Sequence, residues 1–259
     1  ADVRRIAESV SGKDLKRFFD DWTTRPGAAV LALETPTVKR TASGFDVTAT
    51  VRQTQAAPPF ALHVPIAIRT SKGTRLETVV LTGASAPLEV SLAADEEPLA
   101  LDLDPEFDLF RRLDPRETPS SIGQIFGEPK VLALLSSKDP QPLRDAYRTL
   151  VESWRSDTHA VEVKLDSDVA ALPRDRAVWL LGRANRFAAA TFCGRLKAGA
   201  AEFTADGERA PLAGHSVVMT ERHPLNLDKA VGWIFGEPLA ALPGLGRKLP
   251  HYGKYSYLA

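Results

Sequence analysis

Apolar residues at helical spacing characterise the first segment of the chain. One helical face is formed by four large apolar residues at positions i, i+3, i+4 and i+7: Leu15, Phe18, Phe19 and Trp22. Ser11 is suited to be the N-cap of this helix, and Pro26-Gly27 ends it. Because the face is so apolar, we expect it to need a neighbouring surface that covers it.

From Val30 to Leu103 the apolar residues recur at every second position instead. The alternation is clearest at Phe45 to Val51 and at Leu62 to Ile68, and it predicts half-buried strands. Weaker candidate strands follow at Leu76 to Leu81, Leu88 to Leu92 and Leu99 to Leu103. Six or seven short strands without a helical pattern predict an antiparallel, Ig-like β-sandwich. Pro65 within one of them predicts an edge strand or a bulge.

A different pattern begins after residue 129. Val131 to Leu135 and Ala177 to Leu181 are continuously apolar, as is typical of parallel strands buried on both faces. A helical stripe runs from Leu143 to Trp154 between them, and Val161 to Leu165 alternates as another strand. This order predicts an α/β domain with a mostly parallel sheet. The spacing of Leu227, Ala230, Val231 and Ile234 predicts a last helix.

These patterns divide the chain into domains. We predict a β-sandwich over residues 27–104, a linker over 105–129 and an α/β domain over 130–259. The linker is inferred from its mixture of charged residues and prolines.

Composition narrows the class of protein. Thirty-three basic residues balance thirty-three acidic ones, so no overall field favours nucleic acid as a partner. No apolar run approaches the roughly 20 residues of a membrane-spanning helix. The single cysteine, Cys193, excludes an internal disulfide and a cysteine-rich zinc site. Its apolar neighbours predict a buried, inert thiol.

The sequence contains no recognisable catalytic or metal-binding motif. A gluzincin site needs two histidines one helical turn apart, and no two of the five histidines have that spacing: His63, His159, His215, His223 and His251. A Gly-x-Ser-x-Gly elbow and a P-loop are also missing. We therefore predict no catalytic residue, no metal ligand and no cofactor in this chain, which should not be an enzyme by itself.

Alternating acidic residues between Asp102 and Asp108 resemble the beginning of a calcium loop. Phe107 and Leu113, however, occupy the positions that need glycine and a bidentate glutamate. We interpret the segment as a solvated linker whose carboxylates pair with Arg111 and Arg112.

Two loops carry the candidate ligand-binding residues. Arg183, Asn185 and Arg186 follow the strand that ends at Leu181, where an open α/β sheet normally binds its ligand. Arg222 and His223 follow the strand from Ser216 to Met219. Together the loops would form a pocket for a small anion. The alternative, which we favour, is a sharp glycine turn with solvated arginines.

Three segments resemble one family. Ser11 to Leu15, with Phe18-Phe19, Asp20-Asp21-Trp22 and Gly27, is similar to the end of the catalytic domain of aminopeptidase N-like zinc peptidases. Leu101 to Arg111 resembles the close of the following sandwich in bacterial members. Leu249 to Leu258 resembles the C-terminal region of a bacterial subgroup.

The resemblance implies that this chain is the non-catalytic C-terminal region of such a peptidase. Residues 1–26 would be the terminal helix of a preceding catalytic domain, which would hold the zinc ion. That domain of the same polypeptide would be the partner of the chain, and the α/β domain would contact peptide substrate, restrict its access or bind a partner. The alternative is a stand-alone α/β binding module for a small anionic ligand or a protein partner.

Overall fold

The fold combines antiparallel β structure with an α/β sheet, in two compact units. The computed structural model describes residues 2–236 and 239–259. The units are Ala1–Asp114 and Pro115–Ala259, and their division lies inside the segment 105–129 that the sequence predicts as a linker. No helix of the described residues is both long and apolar enough for a membrane span.

The first unit begins with short helical elements: α1 (Asp2–Ser11), α2 (Lys16–Phe19) and a π-helical turn (Asp20–Thr24). The prediction that Ser11 caps the second helix is wrong. Ser11 is the last residue of α1, where its hydroxyl donates to the carbonyl of Ala7 at 2.6 Å. Gly12, with φ of +65°, ends that helix in the left-handed conformation that glycine tolerates.

The first unit itself covers part of the predicted apolar face. The ring of Trp22 stacks on Phe60, with 5.2 Å between the ring centroids, and meets the edge of Phe110. Trp22 therefore packs against the β core, which supplies at Trp22 the neighbouring surface that the apolar face was expected to need. Phe18 remains exposed.

Six strands form the rest of the first unit. They pair as two antiparallel three-stranded sheets, in the orders β1-β2-β5 and β4-β3-β6. Apolar side chains of both sheets form one buried cluster that includes Val47, Val51, Ile66 and Val90, because alternate residues of each strand face the same side. The strands are β1 (Leu31–Arg40), β2 (Gly44–Gln53), β3 (Leu62–Thr70), β4 (Gly73–Leu81), β5 (Ser85–Ala93) and β6 (Pro98–Leu103).

Pro65 lies in a central strand, so the prediction of an edge strand is wrong. It pairs with Thr78 of β4, while β6 ends opposite Ile66, at Leu103. The backbone N–H of Asp104 donates to the Pro65 carbonyl at 2.8 Å. Proline is tolerated here because its missing N–H would point past the end of β6.

A buried ion pair follows β6. The carboxylate of Asp104 accepts hydrogen bonds from Nε of Arg111 at 2.7 Å and from the backbone N–H of Asp108 at 2.9 Å. Both charged side chains are fully buried. The predicted pairing with Arg111 is confirmed, but the predicted solvent exposure of the pair is wrong.

The second unit is built on a mixed six-stranded sheet with the order β15-β13-β14-β9-β7-β8. β14, β9, β7 and β8 run parallel to one another, whereas β13 and β15 are antiparallel to their neighbours. The elements are α3 (Ile122–Phe126), β7 (Lys130–Leu135), α4 (Gln141–Glu152), β8 (Ala160–Leu165), β9 (Ala177–Leu181), α5 (Ala188–Thr191), β10 (Leu196–Ala198), β11 (Glu202–Ala205), β12 (Glu208–Pro211), β13 (Ser216–His223), β14 (Asn226–Gly236), α6 (Leu242–Lys248) and β15 (Tyr257–Leu258).

Both faces of this sheet are covered. On one face, α3, α4 and α6 pack over a cluster that includes Ile125, Tyr147 and Trp179. On the other face, α5 and the small antiparallel sheet β10-β11-β12 cover a second cluster, which includes Phe203 and Trp233.

The predicted helix from Leu227 to Ile234 is wrong, because this segment is strand β14. Residues 230–235 are all buried, so their apolar residues show no alternation. A short, continuously apolar run fits a helix and a doubly covered strand equally well. Its β-branched and aromatic residues favour the strand.

Candidate functional site

The carboxyl ends of four parallel strands meet at one edge of the six-stranded sheet, which we call the carboxyl edge. From β7 the chain passes through α4 to β8 on one side, and later places β9 on the other side of β7. The loops after β7 and β9 therefore lie side by side where the strand order reverses. Open α/β sheets bind ligands at such a position.

Glycine after β9 allows a carboxylate to lie on the backbone at this edge. Gly182 has φ of +91°, and a Cβ atom at this residue would lie 2.0 Å from Oδ2 of Asp139. Asp139 belongs to the loop after β7. Its carboxylate can occupy this position only because residue 182 has no side chain.

Asp139 lies in an environment that disfavours its ionised form. Within the described residues its Oδ2 is buried without a hydrogen-bond partner. Burial, and then the negative charge of Asp166, raise the pKa of Asp139. A hydrogen bond from the Ser136 side chain and the charge of Arg144 oppose this increase without cancelling it. Carboxylates with such unmet electrostatic needs are concentrated at functional sites.

The neighbouring carboxylate, Asp166, is fully engaged with the backbone. Its Oδ1 accepts from the N–H of Ser137 at 2.8 Å, and its Oδ2 accepts from the N–H of Arg186 at 2.9 Å. Although burial raises the pKa of Asp166, these hydrogen bonds outweigh it and lower the value overall. Asp166 therefore ties the loops after β7 and β9 together, and its role is structural.

Tyr147 brings a hydroxyl to the same place from α4. Its side chain is almost completely buried. Burial, followed by the negative charge of Asp139, raises the pKa of Tyr147, while a hydrogen bond with the backbone of Gly236 opposes the increase. The phenol therefore stays protonated and can donate a hydrogen bond.

Asp139 and Tyr147 line a pocket of about 320 Å³. Its polar wall contains Asp139, Tyr147 and Arg183, and its apolar wall contains Leu143, Leu212 and Phe235. The volume lies at the lower end of the roughly 300–1,000 Å³ found for small-molecule sites. A second pocket, of about 430 Å³, lies on the other side of Arg183 and is lined by Lys138, Asn185, Arg186 and Trp233.

The three candidate residues after β9 differ in their surroundings. Arg183 is exposed and lines both pockets, with its guanidinium against the carbonyls of Gly199 and Ala200. Asn185 is buried and donates to the Leu134 carbonyl at 2.8 Å, so it holds the loop against β7. Arg186 lies over the ring of its neighbour Phe187, at 4.6 Å.

The other two candidates, Arg222 and His223, lie elsewhere. The guanidinium of Arg222 donates to the carbonyl and the hydroxyl of Thr118, both at 3.0 Å. The His223 ring is fully buried and accepts the N–H of Leu225 at 3.1 Å through Nδ1. Burial lowers the pKa of His223.

The hypothesis of a joint pocket between the two loops, which was the less favoured of the two interpretations, is wrong. Arg222 pairs with Ala230 of β14. The next residue of β14, Val231, pairs with Val178 at the amino end of β9, so Arg222 also lies at that end of the sheet. Arg183 follows the carboxyl end of the same strand, roughly 20 Å away at about 3.3 Å per residue. The prediction assumed that the strand before Arg222 runs parallel to β9, whereas β13 forms an antiparallel hairpin with β14.

Sequence reasoning missed Asp139 and Tyr147. The available signal was position, since Ser136 to Asp139 directly follow a strand as apolar as β9. The argument that selected Arg183 applies equally to that loop.

Two further observations concern the candidate chemistry. Cys193 is exposed, so the prediction of a buried thiol is wrong; its neighbour Phe192 is buried instead. In residues 2–236 and 239–259, no group of three or more His, Cys, Asp or Glu side chains is placed to hold a metal ion.

The chain matches no protein-family model and no curated protein sequence.

Proposed function

We propose that this chain is a non-catalytic, accessory region of an aminopeptidase N-like zinc peptidase. In this proposal the two antiparallel sheets are the Ig-like sandwich that supports the catalytic domain, and the α/β unit limits the access of peptide substrates. The inner faces of the two sheets share one core, which supports the assignment as a sandwich. The resemblance at Ser11 to Gly27 and at Leu101 to Arg111 supports the family.

The observation that carries this proposal is the exposed apolar face of α1. Val3, Ile6 and Val10 lie on one side of this helix and are 72%, 61% and 84% exposed. Apolar residues clustered in this way on a helix usually mark a contact surface. We assign that surface to the catalytic domain, because the residues that resemble the end of that domain directly follow α1.

The encoding gene and a hydrolysis assay test this assignment. We expect the same reading frame to encode a His-Glu-x-x-His helix before Ala1. A stop codon or an unrelated domain there would contradict the proposal. The purified chain with added zinc should leave aminoacyl anilides intact, and zinc-dependent cleavage would overturn the non-catalytic role.

A variant of the complete polypeptide tests the surface itself. Ile6→Asp places a charge on the exposed apolar face of α1 and should lower the melting temperature of the complete enzyme. Arg5→Gln changes the net charge by the same amount at an exposed position away from the apolar face and is the matched control. Equal effects of the two variants would argue against a docked α1.

The second candidate function is the binding of a small ligand by the α/β unit. Arg183 favours it, because this exposed guanidinium lines both pockets at the carboxyl edge. Phosphate, sulfate or an acidic dipeptide should raise the melting temperature of the chain. Arg183→Glu should abolish this effect without unfolding the protein, whereas Lys197→Glu, at an exposed position of β10, should retain it. If none of the three ligands shifts the melting temperature, binding of a simple anion is refuted.

A further inference from the structure

Opposite charges line the smaller pocket at the carboxyl edge. Asp139 and Arg183 both contribute to its wall, but among the described residues the guanidinium of Arg183 donates to the carbonyls of Gly199 and Ala200 and not to Asp139. Asp139 is also short of hydrogen bonds, since its Oδ2 has no partner in the described part of the chain. The wall of this one pocket thus combines a carboxylate and a guanidinium group.

A simple anion satisfies only half of this arrangement. It would pair with Arg183 but would also be repelled by the Asp139 carboxylate on the same wall. A ligand that carries an ammonium group beside its carboxylate removes this conflict, because each of its charges then faces an opposite one.

The remaining wall defines the rest of the ligand. Leu143 of α4, Leu212 after β12 and Phe235 of β14 supply apolar surface, and the small volume of about 320 Å³ restricts the ligand to one compact apolar group. The protonated hydroxyl of Tyr147 adds a hydrogen-bond donor beside Asp139.

We propose that this pocket binds a free α-amino acid with an apolar side chain. Asp139 pairs with the α-ammonium group, Arg183 pairs with the α-carboxylate, and the side chain packs against Leu143, Leu212 and Phe235. The inference rests on the second proposed function, ligand binding by the α/β unit, and names the class of ligand.

Titration calorimetry with four probes tests the proposal. L-leucine has both charges, L-leucinamide lacks the carboxylate, N-acetyl-L-leucine lacks the ammonium group, and inorganic phosphate has neither the ammonium nor the apolar group. We expect L-leucine to bind at least about tenfold more tightly than either derivative, because each derivative lacks one of the two charge-assisted contacts.

Two variants assign the charges. Asp139→Asn should weaken L-leucine and L-leucinamide by about tenfold and leave N-acetyl-L-leucine unchanged or improved. Arg183→Gln should weaken L-leucine and N-acetyl-L-leucine but not L-leucinamide. The matched controls are Asp145→Asn and Arg148→Gln, at exposed positions of α4, and they should bind all probes as the wild type does.

The outcomes separate this inference from the function on which it rests. If phosphate binds through Arg183 and L-leucine does not, binding of an anion stands and the amino-acid ligand is refuted. If L-leucinamide or N-acetyl-L-leucine equals L-leucine, the paired recognition is refuted. If none of the four probes binds, both proposals fail. Circular dichroism of each variant confirms that a lost signal reflects the site and not unfolding.

Discussion

The polar residues around the α/β sheet differ in how well their buried atoms are hydrogen-bonded. Asp166 and Asn185 are engaged by backbone groups of neighbouring loops, and they hold those loops in place. Asp139 and His223 each keep a buried polar atom without a partner in the described residues. An unsatisfied buried group costs free energy of folding. Because burial also shifts the pKa values of Asp139 and His223, this cost depends on pH.

Asp139→Asn should stabilise the chain at neutral pH. Burial raises the pKa of Asp139 above the ordinary value of 3.8, so the folded state holds its proton more tightly than the unfolded state. The wild type therefore loses stability as the pH rises from 3.8 through the raised pKa, and the loss is complete above it. The variant lacks this loss.

Urea denaturation at a series of pH values measures this difference. The stability gained by Asp139→Asn should grow as the pH rises above about 3.8 and should vanish below it. Asp145→Asn, at an exposed position in the same region, should show no such trend. A variant less stable than the wild type at pH 7 would contradict the prediction.

His223 should produce the opposite dependence on pH. Burial lowers its pKa below the ordinary value of 6.5, so the unfolded state takes up a proton more readily than the folded state. The wild type should lose stability as the pH falls below about 6.5 towards the lowered pKa. His223→Gln should flatten this part of the stability curve.

The same denaturation series provides the control for this histidine. His251 is exposed in the same unit, and His251→Gln should retain the pH dependence of the wild type. If His223→Gln retained it as well, another group would be responsible.

At the scale of elements, the success of sequence reasoning depended on how many faces of a strand are buried. Strands β2 and β3 were predicted correctly because one face is more exposed, which makes apolar and polar residues alternate. Strand β14 was mistaken for a helix because both of its faces are covered over residues 230–235. That error reversed the direction of β13 and placed Arg222 beside Arg183, although they lie at opposite ends of the sheet.

Gly232 in β14 should not tolerate a methyl group. An added Cβ would lie 2.1 Å from Cζ3 of Trp179, its partner on β9. Gly232→Ala should therefore destabilise the second unit by about 1–3 kcal/mol through overpacking. Gly244→Ala is the control, since Gly244 of α6 has no neighbour within 4 Å of an added Cβ. It should be neutral or stabilising by about 0.4–1 kcal/mol, as measured by chemical denaturation.

At the scale of the whole molecule, each unit has its own hydrophobic core. The cluster of the first unit contains residues from Trp22 to Leu109, and the two clusters of the second contain residues from Ile122 onwards. The sequence predicted this change of architecture from the change in hydrophobic period. It did not predict that Asp104 and Arg111, placed in or beside a solvated linker, are buried, because charged residues are rarely buried unless they are paired.

Calorimetry should resolve separate transitions for the two units. Asp104→Asn removes the negative charge that faces Arg111 and should destabilise the first unit by about 3 kcal/mol, with the transition of the second unit unchanged. The control Asp102→Asn removes an exposed carboxylate that pairs with Arg69, and it should cost less than about 1 kcal/mol. A single transition that shifts as a whole would contradict independent units.

The contact between Gly182 and Asp139 also constrains how related sequences can vary. Since a Cβ at residue 182 would occupy the position of the Asp139 carboxylate, a larger residue at 182 requires a shorter or displaced side chain at 139. In homologous sequences, we expect a larger residue at 182 only where residue 139 has also changed. The reverse need not hold, since glycine at 182 is compatible with any residue at 139 that leaves the turn intact. This one-sided covariation would distinguish homologues that keep the Asp139 carboxylate from homologues that have lost it.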